Sequence, residues 1–335
     1  MKEQLKTTFL FGLVVLLVLG QLVYASIRVV NDIGEQDIYY AFLEGQRILQ
    51  GENPYERILS GDMSVNNKYA TYFPLFYEFS YLSQVLGKKG FEGWLAFWRP
   101  IFVGSCLVIG ILLFYPFWRS GQAWFGIFAA AFWLFNRWTL TVISIVHFDF
   151  LVLLFLVASL LAFPKNYRLG LLLYSLSLAF KQIGIFLLPL YLIWTWFSFN
   201  KDRWKKVVEA VLLIASFPLL SSIPFMIWNA KGLLLSILFS VTRFGTSGLA
   251  AYSLDDFMNW NGILARLPMF ALLICVYWLV LSRQIRRFTG SFLVMSIFIG
   301  FNSVLFVQYM VWLVPFTLLL VLDFNEKSFT SYVGD

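Results

Sequence analysis

Apolar runs long enough to cross a bilayer recur along this chain, and they leave it few ways to fold. Backbone exposed to lipid must satisfy its own hydrogen bonds, which restricts spanning segments to helices and closed barrels. One helical span takes about 20 apolar residues. The runs lie at 8–28, 100–118, 122–146, 150–164, 168–182, 183–199, 206–228, 262–282, 289–307 and 309–322. They predict an all-α, polytopic membrane protein of about ten transmembrane helices. With no internal repeat or linker, residues 1–335 form a single integral membrane domain. Composition agrees, because only 13% of residues are charged where soluble domains average roughly a quarter.

The connections sort by charge. Lys2, Lys6, Arg119, Lys165, Arg168, the NKDRWKK segment from Asn200, and Arg283, Arg286 and Arg287 fall on one side. Short loops rich in Lys and Arg are cytoplasmic. The opposite, outer side then carries a first loop at about 29–99, the turn at His147–Asp149, the 182–183 hinge, a second long loop at about 229–261 and the turn near Gln308. The formal charge of +7 is explained by this sidedness and calls for no nucleic acid. The stretch 72–87, apolar but about 16 residues long, is short for a crossing and is placed as a re-entrant or surface helix on the outer side. The basic start MKEQLK precedes an apolar run longer than a signal-peptide core, so a retained first helix is expected. Cys106 and Cys275 lie inside apolar runs and are expected as buried free thiols. Arg137 must either meet a carboxylate or mark the end of its span, because an unpaired arginine at mid-bilayer costs at least about 2.5 kcal/mol.

The first outer loop holds most of the chemistry. Asp32, Glu35, Asp37 and Glu44 gather there, and Asp37 opens a segment whose Ile38, Phe42, Ile48 and Leu49 fit an amphipathic helix on the membrane surface. Gly51, Asn53 and Pro54 stop it. Asp37 and Glu44 are seven residues apart and project from one face. On spacing alone Asp37 equally serves as a helix-capping residue.

The order of motifs resembles that of the GT-C glycosyltransferases, membrane enzymes that take sugars from polyprenyl-phosphate carriers. In the first outer loop the matching residues are Asp37, the aromatic pair Tyr39 and Tyr40, then Gly51, Pro54 and Tyr55, then Tyr69, Tyr72, Pro74 and Leu75. The mannosyltransferase of the glycosylphosphatidylinositol pathway and bacterial membrane mannosyltransferases are similar here. The former has an Asp-x-Asp motif where this chain has Glu35-Gln36-Asp37, so the first acid departs from the pattern. His147 to Asp149 resembles an outer turn of these enzymes, and Lys181 with Gln182, ahead of Pro189, resembles their Lys-Gln motif. Gln308, Tyr309, Trp312 and Pro315 resemble a signature in their last spans.

The resemblance implies a GT-C-like fold and an inverting transfer of a hexose, most simply mannose, to a lipid or glycan acceptor at the outer face of a bacterial plasma membrane. Asp37 would be the general base. Glu35, Glu44, Tyr72, His147, Asp149, Lys181, Gln182, Arg243, Arg266, Gln308 and Tyr309 are the candidate substrate-binding residues. Lys181, Arg243 and Arg266 are the candidate phosphate ligands, with snorkelling or solvated charge as the plainer readings. Expected partners are the lipid-linked donor, the acceptor and membrane lipids. No cofactor is expected, since the adjacent Asp255 and Asp256 lack the spaced partners that a divalent cation needs. The rival reading is a transporter or flippase for a polar lipid or lipid-linked sugar, with Lys181, Arg137 and Asp149 along its path.

Overall fold

The structure is a computed structural model and describes residues 2–28, 36–61, 68–242, 254–258, 260, 266–302 and 305–325. Among these, regular structure is entirely helical. Chain order gives α1 (Lys2–Ile27), α2 (Asp37–Leu49), α3 (Leu75–Val85), α4 (Phe91–Arg119), α5 (Ala123–Phe135), α6 (Arg137–Ser144) and α7 (Asp149–Ala162). It continues with α8 (Tyr167–Phe180), α9 (Leu188–Ser198), α10 (Arg203–Thr242), α11 (Leu254–Phe257), α12 (Leu267–Leu281), α13 (Arg287–Gly300) and α14 (Met310–Asn325).

By length and composition three described helices are able to cross a membrane: Thr8–Ile27, Phe91–Arg119 and Arg203–Phe239. A fourth is available if α5 and α6, bent by 43°, act as one span. This is fewer than the ten expected. The others are six apolar helices of 10–17 residues. A helix of 14 residues, such as α7, rises about 21 Å against a hydrocarbon core of about 30 Å. The apolar runs were continuous in sequence, yet caps and polar breaks cut them short. Outer faces of α1, α10 and α12 nevertheless remain apolar, with Leu16 64%, Leu212 67% and Ile274 65% exposed. Cys275 also faces outward on α12, which corrects the expectation of two buried thiols; Cys106 is buried.

Local chemistry explains the breaks. At Asn136 the backbone turns extended, and its Oδ1 accepts from Thr139 N at 3.0 Å while Nδ2 donates to the Phe132 and Trp133 carbonyls. This side chain therefore ends α5 and starts α6. Arg137 sits exposed beside the break. α8 stops at Lys181, where the chain runs extended, passes through the 3₁₀ turn Gln182–Leu187 and re-enters a helix with Pro189 in the first turn of α9.

Several boundaries moved. α4 starts at Phe91, so the first outer stretch ends nine residues before the expected position 99. The expected second loop, 229–261, begins at a real break, since Asn229 is non-helical inside α10, but the chain then continues as helix to Thr242. The surface helix expected within 72–87 is α3.

The bundle has two distinct ends. At one, Lys165 stands over the Tyr115 ring at the end of α4, Lys206 bonds the Tyr167 hydroxyl, Arg168 pairs with Glu209, and Arg283 caps the Phe197 ring. These are the basic connections that the sequence put on one side. At the other end α2 and α3 lie over the start of α4, with the Phe42 ring tilted against Phe91 and edge-on to Trp94. Gly45 of α2 leaves no space for a Cβ against Ser80 of α3, and Gln84 Nε2 donates to the Phe42 carbonyl at 2.9 Å. Phe76 of α3 stacks on Phe148 at 4.4 Å, so the amphipathic pair of helices grips the turn before α7.

Candidate functional site

Four polar side chains from four parts of the chain join at the α2–α3 end. Asp37 opens α2, where a carboxylate is favoured by the helix dipole. His147 lies in the turn between α6 and α7, Asp149 opens α7, and Lys181 marks the break after α8. Lys181 Nζ donates to Asp149 Oδ1 at 2.7 Å. His147 Nδ1 stands 3.1 Å from the same oxygen, and its Nε2 is 3.6 Å from Asp37 Oδ2. These histidine contacts are ion-pair distances; neither ring nitrogen makes a well-formed hydrogen bond among the described residues. Trp312 Nε1 donates to the other Asp149 oxygen at 2.8 Å.

Val146, just before His147, has φ +51, a left-handed conformation that a β-branched residue rarely adopts. Such strain persists only where the surroundings enforce it, and it concentrates at functional sites. Here Val146 is buried and the next three residues are pinned by Phe76, Asp149 and Lys181.

Two cavities open on this cluster. The larger, about 330 Å³, is walled mainly by apolar side chains, among them Ile185, Phe186, Leu238 and Phe270. Lys181, Gln182 and Arg266 supply its polar end. The Lys181 ammonium sits 4.8 Å from the Tyr72 ring centre and 5.2 Å from those of Phe148 and Trp312, an aromatic cage that attracts a cation. Arg266, buried at the start of α12, donates to the Phe301 carbonyl at 2.6 Å. The smaller cavity, about 60 Å³, is polar and lined by Asp37, Glu44, Lys68 and several tyrosines. Tyr72 and Tyr309 line both. The acid and the ammonium thus lie in adjoining cavities, connected through His147 and Asp149.

The first-loop motif explains how Tyr72 is held. The buried Tyr55 receives its backbone turn from Asn53 Oδ1 and donates its hydroxyl to the Tyr72 carbonyl at 2.7 Å. Gln182 Nε2 donates to the Thr71 carbonyl at 2.6 Å from the opposite side. Gly51, at φ +80, takes the left-handed position that ends α2 and lets the chain turn back.

Electrostatics distinguish the two α2 carboxylates. Burial alone would raise the Asp37 carboxyl, but the His147 ring and the Lys68 ammonium outweigh it and hold it well below the usual carboxylate range. Glu44 is pushed the other way: burial raises it despite Arg47 and Arg57. Both line the same cavity, as the seven-residue spacing predicts.

Of the sequence candidates, Asp37, Glu44, Tyr72, His147, Asp149, Lys181, Gln182, Arg266 and Tyr309 are assembled here. Gln308 lies in the Val307–Tyr309 turn but lines neither cavity. Glu35 and Arg243 fall outside the described residues, as do the side chains of Asp255 and Asp256. No cluster of three or more His, Cys, Asp or Glu suited to a metal ion occurs among the described residues. Sequence reasoning missed Lys68, whose Nζ donates to Asp37 Oδ1 at 2.8 Å, and the role of Trp312 on Asp149. Lys68 was a lone basic residue in a polar loop, next to Tyr69 of the motif, and nothing in its neighbourhood separated it from a solvated charge. Comparison with protein-family models, with curated proteins and with solved structures finds no match for this chain.

Proposed function

We propose that this protein is a membrane glycosyltransferase that moves a hexose, most simply mannose, from a polyprenyl-phosphate carrier to a lipid or glycan hydroxyl. The observation that carries this reading is the pair of adjoining cavities. The larger one offers an apolar wall for an isoprenoid tail and cations at its end for a phosphate. The smaller one offers carboxylates for a hydroxyl-bearing acceptor. In this reading all ten apolar segments cross a bacterial plasma membrane, and the site faces the outer side, opposite the basic connections.

The step requires a base for the acceptor proton and a cation for the leaving group. The acceptor oxygen attacks the anomeric carbon while its proton passes to Asp37. The bond between that carbon and the phosphate oxygen breaks, and its electron pair leaves on the polyprenyl phosphate. Lys181 has three protons and Asp149 accepts one of them, so it still serves an anion in the larger cavity, beside Arg266. His147 and Asp149 position Asp37 from behind. Asp37 is ionised and so ready to accept a proton, but Lys68 holds it in the resting state and weakens it as a base. The acceptor hydroxyl must therefore displace the Lys68 ammonium before transfer.

Purified protein in vesicles of bacterial membrane lipid, offered a panel of radiolabelled polyprenyl-phosphate sugars together with glycolipid and free-glycan acceptors, tests this. Release of free polyprenyl phosphate is expected with one of them. Asp37→Asn should lower turnover by about 10²–10⁴-fold, the usual worth of a positioned base. Turnover of Asp37→Asn at the parent level removes Asp37 from its role. A lipid transporter, the rival, would move a labelled lipid across the vesicle membrane and release no polyprenyl phosphate.

A further inference from the structure

The small cavity beside Asp37 contains a second carboxylate that the transfer step leaves unused. Glu44 lies two helical turns after Asp37 on α2 and lines the same cavity. Its side chain is 2% exposed. Oε1 accepts from Arg47 and, at 3.4 Å, pairs with Arg57. Oε2 is equally buried and has no hydrogen-bond partner among the described residues. A buried acceptor left unmet costs about 1–3 kcal/mol, and more for a charged group. Native proteins leave few such groups, so an unmet oxygen at a cavity wall implies a donor that arrives with a ligand.

The charges around the cavity define that donor. Lys68 Nζ bonds Asp37, the Lys68 carbonyl accepts from Arg57 at 3.1 Å, and Arg57 pairs with Glu44. Three cations, Arg47, Arg57 and Lys68, are each already paired with one of the two carboxylates, so an anion would meet carboxylates and a further cation would meet Lys68, which favours an uncharged ligand with hydroxyl donors. Tyr40, Tyr72 and Tyr309 add aromatic surface with hydroxyl edges, suited to a ring that is apolar on its face and polar on its rim.

We infer that this cavity is the acceptor subsite and that Glu44 Oε2 is its specificity-determining group, accepting a hydrogen bond from a second hydroxyl of an uncharged six-membered ring polyol. This rests on the sugar-transfer reading for the task of Asp37. Seven residues of helix separate the Cα atoms of Asp37 and Glu44 by about 10 Å along the axis, and side chains leaving one face in parallel keep about that spacing. Two O–H···O bonds of about 2.7 Å each leave about 5 Å between the ligand oxygens. Hydroxyls one or two carbons further round a ring meet that span; neighbouring hydroxyls, and the two of ethylene glycol, do not. At about 60 Å³ the resting cavity holds about two waters, so a ring is admitted only as the Lys68 ammonium withdraws.

Calorimetry on the full chain in detergent tests the inference, with methyl α-mannopyranoside, methyl β-glucopyranoside and myo-inositol as ring probes and ethylene glycol as the short control. The parent is expected to bind at least one ring, and Glu44→Gln to bind it at least tenfold more weakly, with ethylene glycol indifferent to the change. Arg47→Gln removes an ion pair of Oε1 and leaves Oε2 in place, so it should keep ring affinity within about threefold (under about 0.7 kcal/mol at a tenfold-per-1.4 kcal/mol scale). Should Glu44→Gln fail to fold, Glu44→Asp, which keeps the charge and shortens the reach, is held to the same tenfold loss. The inference is overturned if no ring binds the parent, if the Glu44 variant binds like the parent, or if Arg47→Gln loses as much as the Glu44 variant. Ring binding through Glu44 without any lipid-linked sugar turnover would instead sink the transfer reading alone. Transfer with an acceptor KM indifferent to Glu44 would sink this inference alone.

Discussion

Two aspartate–lysine pairs of nearly equal length meet at one end of this bundle, 2.7 Å for Asp149–Lys181 and 2.8 Å for Asp37–Lys68. Burial separates them. The side chains of Asp149 and Lys181 are 0% and 4% exposed, those of Asp37 and Lys68 27% and 33%. A buried pair is held by strong attraction in a low-dielectric medium, and breaking it strands a charge. Asp149 is also bonded by Trp312 and approached by His147, so the inner pair ties α7, the α8–α9 break and α14 together. A pair about a third exposed is partly screened by water and worth less, which makes it easier to exchange for a ligand. The same two residue types thus serve as an anchor in one place and as a releasable latch in the other.

Removing one partner of the inner pair gives the largest expected effect. Lys181→Met should destabilise the protein by about 3–5 kcal/mol through the stranded Asp149. The double variant Lys181→Met with Asp149→Asn should recover much of that loss, read by denaturant unfolding in detergent. A single variant as stable as the parent would break the distinction between anchor and latch.

A smaller loss is expected from Trp312→Phe, which keeps the ring and deletes the donor to Asp149 Oδ2. Hydrogen bonds to charged groups contribute about 1.5–3 kcal/mol. The outer pair should respond differently. Lys68→Met should change stability by about 0–1 kcal/mol and show itself in the pH profile instead. The folded Asp37 carboxyl lies below its unfolded value, so the pair's contribution is present above the unfolded value and is lost as pH falls through the folded one. In the parent, the acid limb of kcat/KM from Asp37 should therefore lie below the ordinary carboxylate range. Without Lys68 it should move upward, because burial then faces less opposition. An unmoved limb would show that Lys68 does not control Asp37.

What the sequence made legible was local. An acid opening an amphipathic run, followed by Gly51 and Pro54, located α2 and its two carboxylates on one face, because helix starts, stops and faces are written within a few residues. Basic connections likewise found one end of the bundle. The helix lengths were not legible, since caps such as Asn136 act inside runs that look uninterrupted by composition. Pairings across the fold were also hidden. Lys181 and Asp149 are 32 residues apart and Lys68 and Asp37 are 31 apart, so each lysine finds its acid only after the helices have packed. A lysine between apolar half-runs drew attention to itself as an unusual charge, whereas Lys68 in a polar loop did not.

The most direct test sets the two aspartates against each other in one experiment, measuring both sugar-transfer turnover and unfolding free energy for Asp37→Asn and Asp149→Asn. Asp37→Asn should lower turnover by about 10²–10⁴-fold at nearly parental stability, and Asp149→Asn should lose several kcal/mol of stability along with its activity. A stable Asp149→Asn beside an unfolded Asp37→Asn, or full turnover by Asp37→Asn, would contradict this account.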